Sequence, residues 1–246
     1  MSESNKRNFI VHGSILAIAG ILVRIIGMLY RIPVVNIIGS EGNGIYGAAF
    51  NIYNIMLVLS SYGLPMAVSK LVSARFTKKR YKSAAKVLRC SLMVAVCTGG
   101  IAALLVFFGA SFIENVIYGG GLPGLAVPLR ILAPTIFLVA ILGVIRGFFQ
   151  GQSTMIPTAV SQILEQIVNA IVSIAAGYGM MKAFASSPDV AAYGAAGSTL
   201  GTAMGALTAV LFMGFLYAVY TPTFNRLKRK DRHTENQSTG QICKII

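Results

Sequence analysis

Six long apolar stretches constrain this 246-residue chain more than any other feature of its sequence. A helix needs roughly 20 mostly apolar residues to cross the hydrocarbon core of a bilayer, and each stretch reaches that length. Each stretch is also far longer than a strand of a membrane barrel, so helix is preferred to strand. We therefore predict an all-α, polytopic membrane helix bundle with six transmembrane helices, at residues 9–38, 45–72, 87–112, 125–145, 156–181 and 190–220.

Turn-forming residues separate several of these stretches, at 39–44, 119–124 and 186–189. The composition agrees with a membrane protein, because only 11% of the residues are charged, against about one quarter in ordinary soluble domains. The first stretch follows Lys6 and Arg7, as the apolar core of a signal peptide does. It is too long for one and no small-residue cleavage site follows, so we interpret it as a retained first helix.

The basic residues indicate the orientation of the predicted helices. Most of the 21 Lys and Arg residues lie at alternate ends of the helices, and the opposite links contain only Lys182. By the positive-inside rule, both termini and the basic links are predicted to lie in the cytoplasm, with the bundle in the cell (cytoplasmic) membrane. The charge is divided among short juxtamembrane segments, which disfavours nucleic acid and predicts contact with anionic lipids.

The end of the chain differs from the rest. We predict a six-helix transmembrane lobe at residues 1–222, followed at 223–246 by a basic cytoplasmic linker and the start of a truncated next helix. Residues 231–240 are polar, and 241–246 resemble the onset of another apolar helix. A fragment of a longer protein and a short frayed tail are both compatible with this pattern.

Helix one contains the strongest functional signal. Arg24 and Arg31 are seven residues apart, so they share one helix face with Gly20 and Gly27. An arginine near the bilayer centre costs roughly 2.5–3.5 kcal/mol even on the most permissive insertion scale. We therefore predict that both side chains face a hydrated, anion-binding cavity. The alternative is that they extend to the membrane interface, which suits Arg31 better than Arg24.

Helix five contains a polar stripe on an otherwise apolar helix. Its members are Thr158, Gln162, Glu165, Gln166, Asn169 and Ser173, and their spacing places them on one face. Glu165 is the one acidic residue well inside a predicted span. It could pair with Arg24 across the bundle, or bind a proton or cation. The stripe is equally compatible with a hydrogen-bonded seam between helices.

Weaker candidates lie in helices two and four. Arg130, between two prolines, is compatible with guarding an outer vestibule or with reaching the interface, and Arg146 is interpreted as an interface anchor. In helix two, Asn51, Asn54 and Ser61 form a weaker polar face. The sequence has no Ser/His/Asp cluster, metal-ligand spacing or phosphate-binding loop, so we expect a protein that is not an enzyme and has neither cofactor nor metal.

Several segments together resemble a known family. They are residues 27–33, 44–47, 61–70, 146–151, 155–159 and 161–166. These segments resemble the polysaccharide-biosynthesis branch of the multidrug/oligosaccharidyl-lipid/polysaccharide (MOP) flippase superfamily, and within it stage V sporulation protein B and the lipid II flippases. The resemblance covers about residues 13–220.

The resemblance implies a transporter that moves an undecaprenyl-pyrophosphate-linked saccharide, such as a peptidoglycan precursor, across the cytoplasmic membrane. It also implies two helical lobes, of which this chain would contain the N-terminal one, so a missing C-terminal lobe or a second chain is an expected partner. Substrate binding in the cavity is expected from Arg24 and Arg31, by resemblance to the basic first helix of the flippases. A cation-coupled multidrug exporter dependent on Glu165, and a non-transporting scaffold for envelope or spore-wall synthesis, are the alternatives.

Overall fold

The computed structural model describes residues 3–231, with side chains from residue 13 onward. The described chain is helical apart from short turns, and the predicted all-α membrane bundle is confirmed. Its elements are α1 (Glu3–Ser61), α2 (Leu64–Thr77), α3 (Tyr81–Phe112) with a π-helical turn at Ile113–Ile117, α4 (Ala126–Gly151), α5 (Ile156–Ala183) and α6 (Val190–Lys230).

Five helical segments of the described chain are long and apolar enough to cross a membrane, against six predicted. The difference arises in α1, where the predicted break at 39–44 is helical except for a sharp kink at Gly39. Gly39 has φ 70° and ψ −176°, a conformation essentially confined to glycine. The first predicted span and the greater part of the second are therefore the two arms of α1, which meet at Gly39 without a loop.

The kink folds α1 back on itself. In a straight helix Arg31 and Tyr46 would be separated by about 22 Å along the axis, at 1.5 Å per residue. The Arg31 guanidinium carbon instead lies 6.0 Å from the centre of the Tyr46 ring. Buried residues from both sides of the kink, among them Val34 and Ile45, share one hydrophobic cluster with α3, α4 and α6.

The second predicted span, 45–72, is not one continuous helix. The helix ends at Ser61, and α2 begins at Leu64 after a two-residue turn. Pro65 lies in the first turn of α2, where its missing N–H breaks no helical hydrogen bond. The turn places the start of α2 against α4, because a side chain on Gly147 would collide with the Pro65 carbonyl oxygen.

Helices α5 and α6 pack closely along a row of small residues. A Cβ atom on Gly205 would lie 2.6 Å from the Glu165 carbonyl oxygen, and one on Gly201 would meet Ser173. Backbone approach of this kind is typical of membrane helices, where small residues let dispersion contacts form. The row fixes α5, which carries the polar stripe, against α6.

The other end of α6 is attached to α3. Helix α6 continues past residue 222, the predicted end of the lobe, to Lys230. The buried carboxylate of Asp231 accepts a 2.9 Å hydrogen bond from the backbone N–H of Lys82, in the first turn of α3. This contact gathers basic residues of both helices at one end of the bundle. Residues 241–246, the predicted start of a further helix, lie outside the described residues.

Candidate functional site

The polar stripe of α5 is divided among three neighbouring helices. Glu165 and the residues before it face α4, Gln166 and Asn169 face α1, and Ser173 faces α6. Thr158, Asn169 and Ser173 are buried, and the remaining members are partly buried. The stripe is therefore a hydrogen-bonded seam over much of its length, one of the two interpretations that the sequence left open.

Glu165 pairs with Arg146 of α4. Its Oε2 accepts a 2.7 Å hydrogen bond from Arg146 Nη2, and the side chains are 26% and 14% exposed, respectively. Arg146 Nε also donates to Ser161 Oγ at 2.9 Å. The suggested pairing of Glu165 with Arg24 was therefore wrong. Arg146 is more than an interface anchor, because it reaches along α5 to the stripe.

A cavity of about 260 Å³ opens beside this ion pair, between the α1–α2 turn, α4 and α5. Its polar wall is formed by Arg146, Gln150, Thr158, Gln162 and Ser61. Gln150 Nε2 donates to Thr158 Oγ1 at 3.5 Å, a long hydrogen bond that joins α4 to α5 only weakly. Gln162 Oε1 is buried and accepts no hydrogen bond from any described atom.

Asn169 is the centre of a second network. Its Nδ2 donates to Tyr30 Oη at 3.3 Å, and its Oδ1 accepts from Ser173 Oγ at 2.9 Å and from Thr202 Oγ1 at 3.4 Å. The network joins α1, α5 and α6 through one side chain. A buried amide with both ends occupied fixes the relative register of the helices that it connects.

Arg24 and Arg31 are both exposed on α1. They lie at the edge of the face that packs on α5, because Gly27, between them on the same face, has Gln166 Nε2 only 3.2 Å from where its Cβ would be. Neither guanidinium forms an ion pair with a described carboxylate, and Arg31 is placed over Tyr46. The two predicted cationic side chains thus lie on an exposed surface of α1, on either side of the position where Gly27 contacts the α5 stripe.

The remaining predicted site residues lie elsewhere. Arg130 is exposed and its Nη2 donates to Ser111 Oγ of α3 at 2.9 Å. Asn51 is exposed on the side of α1 that also presents Ile55 and Val58, away from the packed face. Neither residue is brought to Arg24 or to the cavity beside Glu165.

Three residues of the site were missed or misassigned from the sequence. Gln150 and Ser61 line the cavity, and Tyr30 bonds to Asn169. The signal that could have found Gln150 is its spacing from Arg146, four residues along one face of a helix. Ser61 was predicted only as part of the weaker polar face of helix two, because its place in the cavity depends on the break between α1 and α2.

Basic residues form a groove of about 600 Å³ at the end of the bundle where Asp231 accepts a hydrogen bond from α3. Lys82 of α3 faces Lys228 and Arg229 of α6 across it, with Asn225. Positive charge from two helices is therefore concentrated where the backbone of α3 begins, an arrangement that attracts anionic groups.

Comparisons with known proteins confirm the family resemblance over most of the chain. The family model described as polysaccharide biosynthesis protein matches residues 10–240. The lipid II flippase MurJ of Bacillus subtilis (strain 168) is 34% identical over 69% of this chain and 32% of its own length. Stage V sporulation protein B of the same organism is 30% identical over 85% of this chain and 39% of its own length.

A solved structure shares the fold. The inward-facing conformation of a multidrug resistance MATE family transporter of the MOP superfamily aligns with a TM-score of 0.61 at 15% identity, over 88% of this chain and 48% of that chain. The chain thus spans about half of this transporter, and less than half of the two curated relatives.

Proposed function

The chain belongs to the polysaccharide biosynthesis protein family, and from this premise we propose that it forms one lobe of a flippase-type transporter. The substrate is an undecaprenyl-pyrophosphate-linked saccharide, such as a peptidoglycan precursor, which crosses the cytoplasmic membrane. In this proposal a second helical lobe, from a longer protein or another chain, completes the pathway. Rocking of one lobe against the other would then expose the headgroup site to each side in turn.

The observation that carries the proposal is the pair Arg24 and Arg31. Both are exposed on one edge of a membrane helix without a carboxylate partner among the described residues. Facing lipid, each would cost roughly 2.5–3.5 kcal/mol near the membrane centre. Facing a hydrated surface between two lobes, they would instead donate charge-assisted hydrogen bonds to pyrophosphate.

The surroundings of the two arginines support an anionic ligand. Gln166 contributes amide donors next to Gly27, and Gly20 has no heavy atom near the position of a Cβ. The face is therefore open one turn before Arg24 and carries an amide donor between the two cations. A lipid-linked saccharide also agrees with one of the relatives, the lipid II flippase MurJ.

Orientation and lipid contacts belong to the same proposal. The groove of Lys82, Lys228 and Arg229 would lie at the cytoplasmic surface, since lysine and arginine accumulate on that side. Each such residue contributes roughly 1 kcal/mol of attraction to an anionic membrane surface. Both termini would then be cytoplasmic. The exporter alternative is less favoured, because the Glu165 carboxylate that it requires is bound to Arg146.

A binding measurement tests this function on the chain itself. The 246-residue protein in nanodiscs would be titrated with undecaprenyl-pyrophosphate-linked N-acetylglucosamine and with undecaprenol, followed by native mass spectrometry. Each of Arg24→Gln and Arg31→Gln should weaken binding of the pyrophosphate lipid about tenfold or more, since a hydrogen bond to a charged group contributes about 1.5–3 kcal/mol.

The matched control is Arg226→Gln, which removes one exposed charge at the basic end of the bundle. It should leave binding of the pyrophosphate lipid nearly unchanged. Equal binding of undecaprenol, or equal losses in all three variants, would reject a pyrophosphate site at Arg24 and Arg31.

A further inference from the structure

The cavity beside the Arg146–Glu165 pair is separate from the arginine face of α1. It is bounded by the end of α1, the start of α2, and the facing sides of α4 and α5. Its volume of about 260 Å³ greatly exceeds the roughly 30 Å³ share of one liquid water molecule. A single ordered water therefore cannot fill it, and it has room for a small organic group.

The charge of the cavity disfavours an anionic occupant. Arg146, its one charged lining residue, is already neutralised by Glu165 at 2.7 Å. A phosphate would have to displace that carboxylate and leave it unpaired in a partly buried position, which is costly. A neutral ligand can instead use the donors that remain, because Nη1 of Arg146 carries two N–H groups beyond those of the two described bonds.

The hydrogen-bonding groups of the cavity require a ligand that both donates and accepts. Gln162 lines the cavity, and its Oε1 is buried without a described donor, a state that costs about 1–3 kcal/mol. The amide group has to turn toward the cavity for this oxygen to accept a hydrogen bond from a ligand. Arg146 has further N–H donors that its two described hydrogen bonds do not use. Hydroxyl groups supply both functions, and several of them on one small ring would reach both walls.

The opposite wall of the cavity is apolar. It consists of Leu57, Tyr62, Pro65 and Val139, with the Tyr62 side chain 73% exposed at the rim. A sugar ring has this same division, because its hydroxyls point outward around a C–H face that packs on aromatic and aliphatic surfaces. We propose that this cavity is a binding site for one neutral sugar ring, with Arg146 and Gln162 hydrogen-bonded to its hydroxyls.

The inference deepens the proposed function and rests on it for the source of the sugar. The arginine face of α1 would hold the pyrophosphate of a lipid-linked saccharide, and the cavity would hold a ring of its saccharide or of a second such molecule. The two sites differ in charge: the first is cationic and unpaired, and the second is neutral. Their ligands can therefore be tested separately.

The chain contains no tryptophan, which makes a single-tryptophan reporter possible. Tyr62→Trp places the reporter at the cavity rim, and Phe108→Trp is the control, at a 76% exposed position on α3. The full chain in nanodiscs would be titrated with N-acetylglucosamine and with sodium pyrophosphate. We expect a saturable emission change with the sugar in Tyr62→Trp, and none in Phe108→Trp or with pyrophosphate.

Gln162→Leu in the Tyr62→Trp background should weaken the sugar response at least tenfold while the melting temperature is unchanged or higher. Arg24→Gln should leave the sugar response intact. A response to pyrophosphate alone, equal responses at both reporters, no response, or a response that survives Gln162→Leu would overturn the sugar site. Loss of sugar binding with Arg24-dependent lipid binding retained would reject this site and leave the proposed function standing.

Discussion

The Arg146 guanidinium lies 2.7 Å from the Glu165 carboxylate and joins α4 to α5 beside an open cavity. The two residues are 19 positions apart in the chain, and the turn between the helices brings them together. Because both are largely removed from solvent, each depends on the other for its charged state to be tolerated. Removing one partner leaves a charge behind, and removing both does not.

We expect Arg146→Met to lower the free energy of unfolding by about 1–3 kcal/mol, and Glu165→Gln to lower it by less, since Gln can still accept a hydrogen bond. The double variant should be more stable than the sum of the single effects predicts, with a coupling of roughly 0.5–3 kcal/mol. Thermal unfolding of all four proteins in detergent measures this cycle. Strict additivity would show that the pair contributes no interaction energy.

The seam between α5 and α6 predicts opposite effects for two glycines of one helix. Gly201→Ala places a methyl group against Ser173 and the Asn169 carbonyl, so we expect a loss of about 1–3 kcal/mol from overpacking. Gly214→Ala meets no heavy atom within 4 Å, and the helix propensity of alanine should raise stability by up to about 1 kcal/mol. Melting temperatures of the two variants compare them directly, and equal shifts would contradict this packing.

The kink of α1 gives a third prediction. Gly39→Ala forces a Cβ into a backbone region that is essentially confined to glycine, at a cost of about 1–3 kcal/mol. The control is Gly47→Ala, which lies on the same element with open space and no positive φ. A melting temperature that falls for Gly39→Ala and not for Gly47→Ala is the expected result. Wild-type stability for both would mean that α1 does not require the kink.

The bond between Asp231 and Lys82 gives a fourth. Asp231→Ala removes the side-chain acceptor from the first turn of α3, so we expect a loss of about 0.5–2 kcal/mol. Asp231→Asn keeps an acceptor and should recover most of the stability. Hydrogen exchange at the start of α3, faster in the alanine variant alone, locates the effect. Exchange elsewhere in the chain that changes equally would argue against a local cap.

Much of the bundle was predictable because hydrophobicity over a span is a sum over many residues. Most ends of α3 to α6 were predicted within two residues, but α3 begins six residues earlier, α4 ends six residues later and α6 ends ten residues later than predicted. The breaks at 119–124 and 186–189 were found from their turn residues. The break at 39–44 was not a loop. Five of its six residues favour turns, yet a single glycine in an unusual conformation reverses the chain. The hydrophobic periodicity of a sequence does not reveal the φ and ψ angles of one residue.

The site was predictable in composition but not in pairing. The α5 stripe was evident from spacing, and its seam character follows from the burial of Asn169 and Ser173. Which cation meets Glu165 depends on how α4 lies against α5, and a distant arginine on α1 was as plausible from the sequence as Arg146. The cavity is formed by four helices and the turn between α1 and α2, so no local sequence pattern predicts it.

The central claim is that Arg24 and Arg31 lie along a hydrated surface and not in lipid. The direct measurement is the labelling rate of single cysteines by a charged, membrane-impermeant thiol reagent, in membranes where the chain is assembled with the second lobe. Every other cysteine, including Cys90, Cys97 and Cys243, is first replaced by alanine. Gly20→Cys, on the arginine face, should react readily and be slowed by added pyrophosphate. Leu29→Cys, 62% exposed on the opposite side of α1, should react slowly. Protection of both cysteines, or equal rates that pyrophosphate does not change, would contradict the claim.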